Sequence, residues 1–164
     1  MYASIVDTFN GLPLHVLVVH ATVILTPVAA LSALALLLPS WRTRLRWPVA
    51  GVVLTAWLLV WLARASGAAL ATSIADQLSG TATGTAVAHH RLIADRLNYA
   101  LFALLVVVVL VALVMPRLSR TLSTVAAMAV AVMALVVLGL VAQTGEAGSR
   151  AAWNPDGSQD YSVH

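Results

Sequence analysis

From Ala100 to Val114 the chain runs without a single charged or hydrogen-bonding side chain, and comparable apolar stretches occupy about 12–38, 48–71 and 121–142. Apolar runs of roughly 18 or more residues are long enough to cross a hydrocarbon layer. No water is present there to satisfy N–H and C=O groups, so such a segment must be helical. With the third span placed at about 91–115, the pattern predicts an all-α integral membrane four-helix bundle of two helical hairpins. Only 9% of the 164 residues are charged and the mean hydropathy is +0.95, which does not suit a soluble domain of this size. The chain therefore reads as one transmembrane domain over 1–164, embedded in a lipid bilayer and ending in a polar tail over 143–164.

All nine basic residues are arginines. They form no groove-binding cluster, so no nucleic-acid partner is indicated. Their placement gives an orientation instead. Arg42, Arg44 and Arg46 lie in a tight loop between spans one and two, bracketed by Trp41 and Trp47; Arg117 and Arg120 lie between spans three and four. Arginine-rich short loops stay on the cytoplasmic side, so both termini and the 72–88 connector are expected outside. The Met1–Asp7 segment has no positive charge and does not read as a cleaved signal peptide, so span one is expected to be retained. The absence of cysteine removes disulfides, thiolate ligands and thioether-linked haem.

Local signals refine this plan. Pro27 lies inside span one and predicts a kink, and Pro39-Ser40 stops that helix. Residues 72–88 are rich in Ser, Thr, Gly and Ala and predict an exposed loop with a short helix near Ile74–Leu78. Trp57, Trp61 and Arg64 share one face of span two, and Arg91 and Asp95 have the spacing of an intrahelical ion pair. Ser123, Ala127, Ala131 and Gly139 make a small-residue stripe suited to close helix packing. Trp153 and Tyr161 read as interface anchors in the tail. Each half also repeats one plan: a histidine-bearing start, an apolar span, a proline with a short arginine loop, and a second span. That suggests two hairpins related by an axis along the membrane normal.

With this topology the costly side chains gather at one depth. His15 and His20 open span one, Arg64 lies near the outer end of span two, His89, His90, Asp95, Arg96 and Asn98 open span three, and Gln143 and Glu146 close span four. A polar site at the extracytoplasmic end follows. Arg64, Arg91, Arg96, His15, His89 and Glu146 also satisfy themselves by snorkelling. His20 lies deeper, and its alternatives are a ligand role or a hydrogen bond to Asp95 or Asn98 on a neighbouring helix. His15 and His20 are about 140° apart on a helix and His89 and His90 about 100°, so neither pair suits one metal ion. A b-type haem suits the arrangement better, since it takes one histidine from each of two helices at similar depth. The axial candidates are His15 or His20 with His89 or His90, headed by His20 and His90. Arg64 or Arg96 would meet the propionates, Trp57, Trp61 and Phe102 would line the ring, and Asp95, Asn98 and Glu146 would support it.

Gly11-Leu-Pro-Leu-His15-Val-Leu-Val-Val-His20 resembles the opening Leu-His-Pro-Leu-x-Val-His segment of the domain-of-unknown-function 2231 family. The histidine-containing start of span three, before Asp95-Arg-Leu-Asn-Tyr-Ala-Leu-Phe, is similar in kind. At the end of span four the family's Gly-His-Ser-Gly followed by Ala and Trp is matched by Gly145-Glu146-Ala147-Gly148-Ser-Arg-Ala-Ala-Trp153. Two departures stand out: Val16 replaces a proline, and Glu146 replaces the family's last histidine. The resemblance implies a small four-helix protein of the bacterial inner (plasma) membrane, suspected of haem or redox roles. The leading expectation is a histidine-lined site binding haem b for electron transport. The alternative is a non-catalytic accessory subunit of a larger respiratory-type complex, or a homo-oligomer. A metal or solute carrier lacks polar residues in mid-membrane, and no nucleophile–base pair or phosphate loop points to an enzyme.

Overall fold

The computed structural model describes residues 8–160; Asp7 and the proposed anchor Tyr161 lie outside them. Residues 8–13, ahead of the first long helix, form a tiny hairpin. Strands β1 (Thr8–Phe9) and β2 (Leu12–Pro13) pair antiparallel. Asn10 (φ 49°) and Gly11 (φ 78°) turn the corner, and both central positions of such a two-residue turn need positive φ.

Helix α1 (Leu14–Leu34) starts directly after Pro13 and continues through Pro27. A 3₁₀ turn, Ala35–Leu37, and an extended Leu38 close it. Helix α2 (Pro39–Ser73) then begins with its proline at the first turn, where a missing N–H is harmless. Residues 41–47 are therefore the opening turns of α2 and not a tight loop, and Pro48 sits inside the helix. Arg42 explains why this segment is held in place. It is buried, and its guanidinium donates to the carbonyls of Leu36 (2.8 Å) and Leu37 (3.1 Å) and to Thr124 Oγ1 (3.1 Å). The last carbonyls of α1 lack helical partners, and Arg42 supplies donors while tying α2 to the fourth span.

The short helix α3 (Ala75–Leu78) lies where expected, but the rest of the 72–88 segment is not all loop. Helix α4 (Ala82–Val114) starts well before residue 91, capped by Thr81, whose hydroxyl accepts from the Gly84 N–H at 3.0 Å. A Cβ at Gly84 would stand 2.0 Å from the Leu78 carbonyl oxygen, so only glycine lets α3 fold back on α4. After a 3₁₀ turn, Met115–Arg117, helix α5 (Arg120–Trp153) runs on past Ala142. The first half of the expected polar tail is thus helical. Its polar groups bond along the helix, Thr144 Oγ1 to the Leu140 carbonyl (2.7 Å) and Arg150 to Glu146 (2.8 Å).

The four long helices are each apolar enough to span a membrane, and they pack as a ring in chain order, α1 closing it against α5. Thus α1 and α4 lie diagonally across the bundle. Alanines set the close approach: Ala29, Ala30, Ala33, Ala56 and Ala134 are fully buried beside Leu101, Leu104 and Val108. In lipid such packing, not solvent exclusion, holds helices together. Ala127 and Ala131 of the small-residue stripe are buried as expected, but Gly139 is exposed with open space around it; the buried face passes instead through Ala134 and Val137.

Candidate functional site

At the end of the bundle away from the arginine turns, the same small construction occurs twice. The His15 ring on α1 bonds through Nδ1 to the carbonyl of Ala63 on α2 at 2.8 Å. One helical turn further on, Gly67 faces the ring so closely that a Cβ there would stand 2.9 Å from Cε1 and Nδ1. The His90 ring on α4 bonds through Nδ1 to the carbonyl of Thr144 on α5 at 3.1 Å. Gly148, again one turn further on, would place a Cβ 3.1 Å from His90 Cε1. In each hairpin, then, the first helix lays an imidazole into a notch made by a carbonyl and the glycine four residues later. The sequence repeat between the halves has its structural counterpart here.

This contact fixes the chemistry of both rings. A carbonyl only accepts, so Nδ1 must carry the proton. In the neutral ring Nε2 is then a lone pair, the state a ligating histidine needs. The two rings come from diagonal helices of the bundle.

The other sequence-selected residues lie elsewhere. His20 is exposed on the bundle surface, and its Nδ1 bonds the Val16 carbonyl of its own helix at 2.7 Å. It reaches neither Asp95 nor Asn98, because it points about 140° away from His15. Asp95 pairs with Arg64 across α2 and α4, not with Arg91. Asn98 is buried and its Oδ1 has no partner among the described residues. His89, Arg96, Gln143 and Glu146 are all drawn to the α4–α5 flank, where with Arg150 and Asp156 they line a groove of about 740 Å³. Glu146, in the place of the family's last histidine, is exposed and bonded to Arg150. Among the described residues no three His, Asp or Glu side chains converge as a compact metal site requires.

The comparison with known families now decides the relationship. A family model described as a predicted membrane protein, DUF2231, matches residues 11–158. The chain belongs to the DUF2231 family. No curated protein and no solved structure matches it. The match covers both halves of the duplicated histidine notch, so the whole site lies within the DUF2231 region. Sequence reasoning missed the acceptors: Ala63 and Thr144 contribute only backbone, and the available signal was Gly67 and Gly148 inside helices where glycine is otherwise unfavourable.

Proposed function

We propose that the chain is a b-type haem protein of the bacterial inner membrane, with His15 and His90 as axial ligands at the extracytoplasmic end. The observation that carries this reading is the pair of Nδ1–H donations into backbone carbonyls, which leaves one Nε2 lone pair on each of two diagonal helices. A haem iron has two axial positions to fill and takes its other four ligands from the porphyrin. Two imidazoles without a third protein ligand therefore suit it, and do not suit a four-coordinate zinc site. Carbonyl acceptors behind ligating histidines orient the rings and raise their basicity. Gly67 and Gly148 keep the space beside each ring free of a side chain. Of the two arginines considered for the propionates, Arg64 is engaged by Asp95 and Arg96 lines the α4–α5 groove. When bound, the group supplies one-electron transfer. The outward orientation rests on the positions of Arg42, Arg44, Arg46, Arg117 and Arg120.

The test is an absorption spectrum of detergent-purified protein expressed with haem supply, as isolated and after dithionite. The expected result is a reducible b-type Soret band. It is lost in His15→Ala and in His90→Ala and kept in His20→Ala. A colourless wild-type protein, or a band that survives both substitutions, overturns the proposal.

A further inference from the structure

The groove on the α4–α5 flank is a second concave feature, and it shares no residue with the histidine notches. On α4, Thr85, His89, Leu92 and Arg96 follow at steps of four, three and four residues; on α5, Gly139, Gln143, Glu146 and Arg150 follow at the same steps. Each set is one stripe down its helix. All of them but Gly139 line the groove of about 740 Å³, together with the 154–157 segment that follows α5. Residue counting sets its depth. From Met115, where α4 meets the turn to α5, to Arg96 is about 29 Å of helix, the thickness of a hydrocarbon core. Arg96 therefore stands where the hydrocarbon ends, and its side chain leans toward the start of α4, out of the hydrocarbon. His89 lies about 10 Å further out, beyond a headgroup layer roughly 5–7 Å deep. The groove thus crosses the headgroup layer from bottom to top.

We propose that this groove seats the headgroup of a phosphatidylethanolamine from the adjoining leaflet, with the phosphate on Arg96 and the ammonium at Asp156. Charge order selects that occupant. Glu146 and Arg150 are matched to each other at 2.8 Å. The other two charged side chains of the groove are Arg96 at the hydrocarbon end and Asp156 past the end of α5. Both are exposed and open to a ligand. Asp156 is held ionised by Ser158, whose N–H (3.1 Å) and hydroxyl (2.8 Å) both donate to Oδ1. The groove is therefore basic at the membrane side and acidic at the water side. A phosphoethanolamine has the same order: its phosphate adjoins the acyl chains and its ammonium is the free end. That ammonium brings three N–H donors to a carboxylate. A glycerol headgroup brings no cation, and a choline headgroup brings no N–H. The chains also have an exit. One turn below Gln143, nothing lies within 4 Å of a Cβ at Gly139, so the lower end of the groove opens onto lipid. Occupancy of the groove does not depend on haem.

The experiment is native mass spectrometry of delipidated full-length protein, titrated with phosphatidylethanolamine, phosphatidylglycerol and phosphatidylcholine of identical acyl chains. One phosphatidylethanolamine is expected to bind about tenfold more tightly than either of the others, the discrimination one charge-assisted hydrogen bond gives. Arg96→Gln should weaken all three by about tenfold. The comparison is Arg91→Gln, which changes an exposed arginine of α4 outside the groove lining and should leave binding unchanged. Asp156→Asn keeps an acceptor for Ser158 and should remove only the preference, bringing phosphatidylethanolamine to the level of phosphatidylglycerol. All three substitutions are at exposed positions, so the variants keep the wild-type circular dichroism. Soluble glycerophosphoethanolamine shares the headgroup without the chains and should not displace the lipid at equal concentration. His15→Ala should bind as wild type, so the groove and the haem reading fail separately. Equal binding of the three lipids, equal effects of Arg96→Gln and Arg91→Gln, or displacement by glycerophosphoethanolamine or inorganic phosphate overturns the proposal.

Discussion

Replacing Gly67 by alanine is the sharpest test of the histidine notch. Glycine to alanine in a helix interior normally gains up to about 1 kcal/mol. At Gly67 the new methyl would lie 2.9 Å from His15 Cε1 and Nδ1, closer than packed carbon atoms tolerate. The ring must rotate out, and its 2.8 Å bond to the Ala63 carbonyl breaks. Losing a hydrogen bond costs about 1 kcal/mol, and stranding a half-buried imidazole N–H raises that to about 1–3 kcal/mol. Gly139 is the internal reference, because nothing lies within 4 Å of a Cβ there. The propensity gain is common to both sites, so Gly67→Ala should be less stable than Gly139→Ala by about 1–3 kcal/mol. Gly148→Ala should fall between, since its contacts with His90 are 3.1 Å and 3.3 Å and its hydrogen bond is longer. The assay is reversible unfolding in mixed micelles together with the ¹⁵N shift of the His15 Nδ1–H. Equal stabilities for Gly67→Ala and Gly139→Ala, with an unchanged His15 resonance, would refute the notch.

Two further outcomes follow from other parts of the fold. Arg42→Ala removes three hydrogen bonds from a buried cation and should cost about 2–4 kcal/mol in the same unfolding assay; Arg42→Lys should recover only part, because an ammonium does not replace a planar fork, while exposed Arg44→Ala should stay within about 0.5 kcal/mol. In the segment after α5, the backbone N–H and hydroxyl of Ser158 hold the Asp156 carboxyl below its ordinary pKa. A carboxylate depressed in the folded state stabilises above its unfolded pKa and loses that contribution as pH falls through the folded value; protection of the Ser158 amide against hydrogen exchange should therefore drop as pH falls below the usual carboxylate range near 4, and Asp156→Ala, which has no acceptor, should show low protection at every pH.

Hydropathy made the four crossings legible because a helix in lipid has no alternative way to satisfy its backbone. It did not reveal how far the helices run beyond the apolar core. Residues 82–90 and 143–152 are mostly polar or small, yet they are helical. Their cues were local and easily outweighed: Thr81 as a cap, Glu146–Arg150 at helical spacing, and Gly84 fitted under Leu78. Arginines read well as a group and poorly as individuals. The cluster at 42–46 marked one end of the bundle, but the composition gave no hint that Arg42 turns inward to cap α1 while Arg44 stays exposed.

The histidines show where a one-dimensional reading of burial goes astray. Depth along the helix singled out His20, since it lies further into an apolar run than His15. Angle around the helix decides otherwise: His15 faces α2 and the bundle interior, while His20 faces outward and closes on Val16 of its own helix. The repeat between the halves was the better guide. His15 precedes Pro39 by 24 residues and His90 precedes Pro116 by 26, which sets the two rings at depths differing by about 3 Å. Each meets a carbonyl–glycine notch in the next long helix of its own hairpin. A histidine that only needed a hydrogen bond could close on its own helix, as His20 does. Two histidines that instead reach across to a neighbouring backbone, each beside a glycine kept at a cost to helix propensity, share an arrangement that presents both Nε2 atoms and holds both rings still. That is the physical reason for reading His15 and His90 as one site.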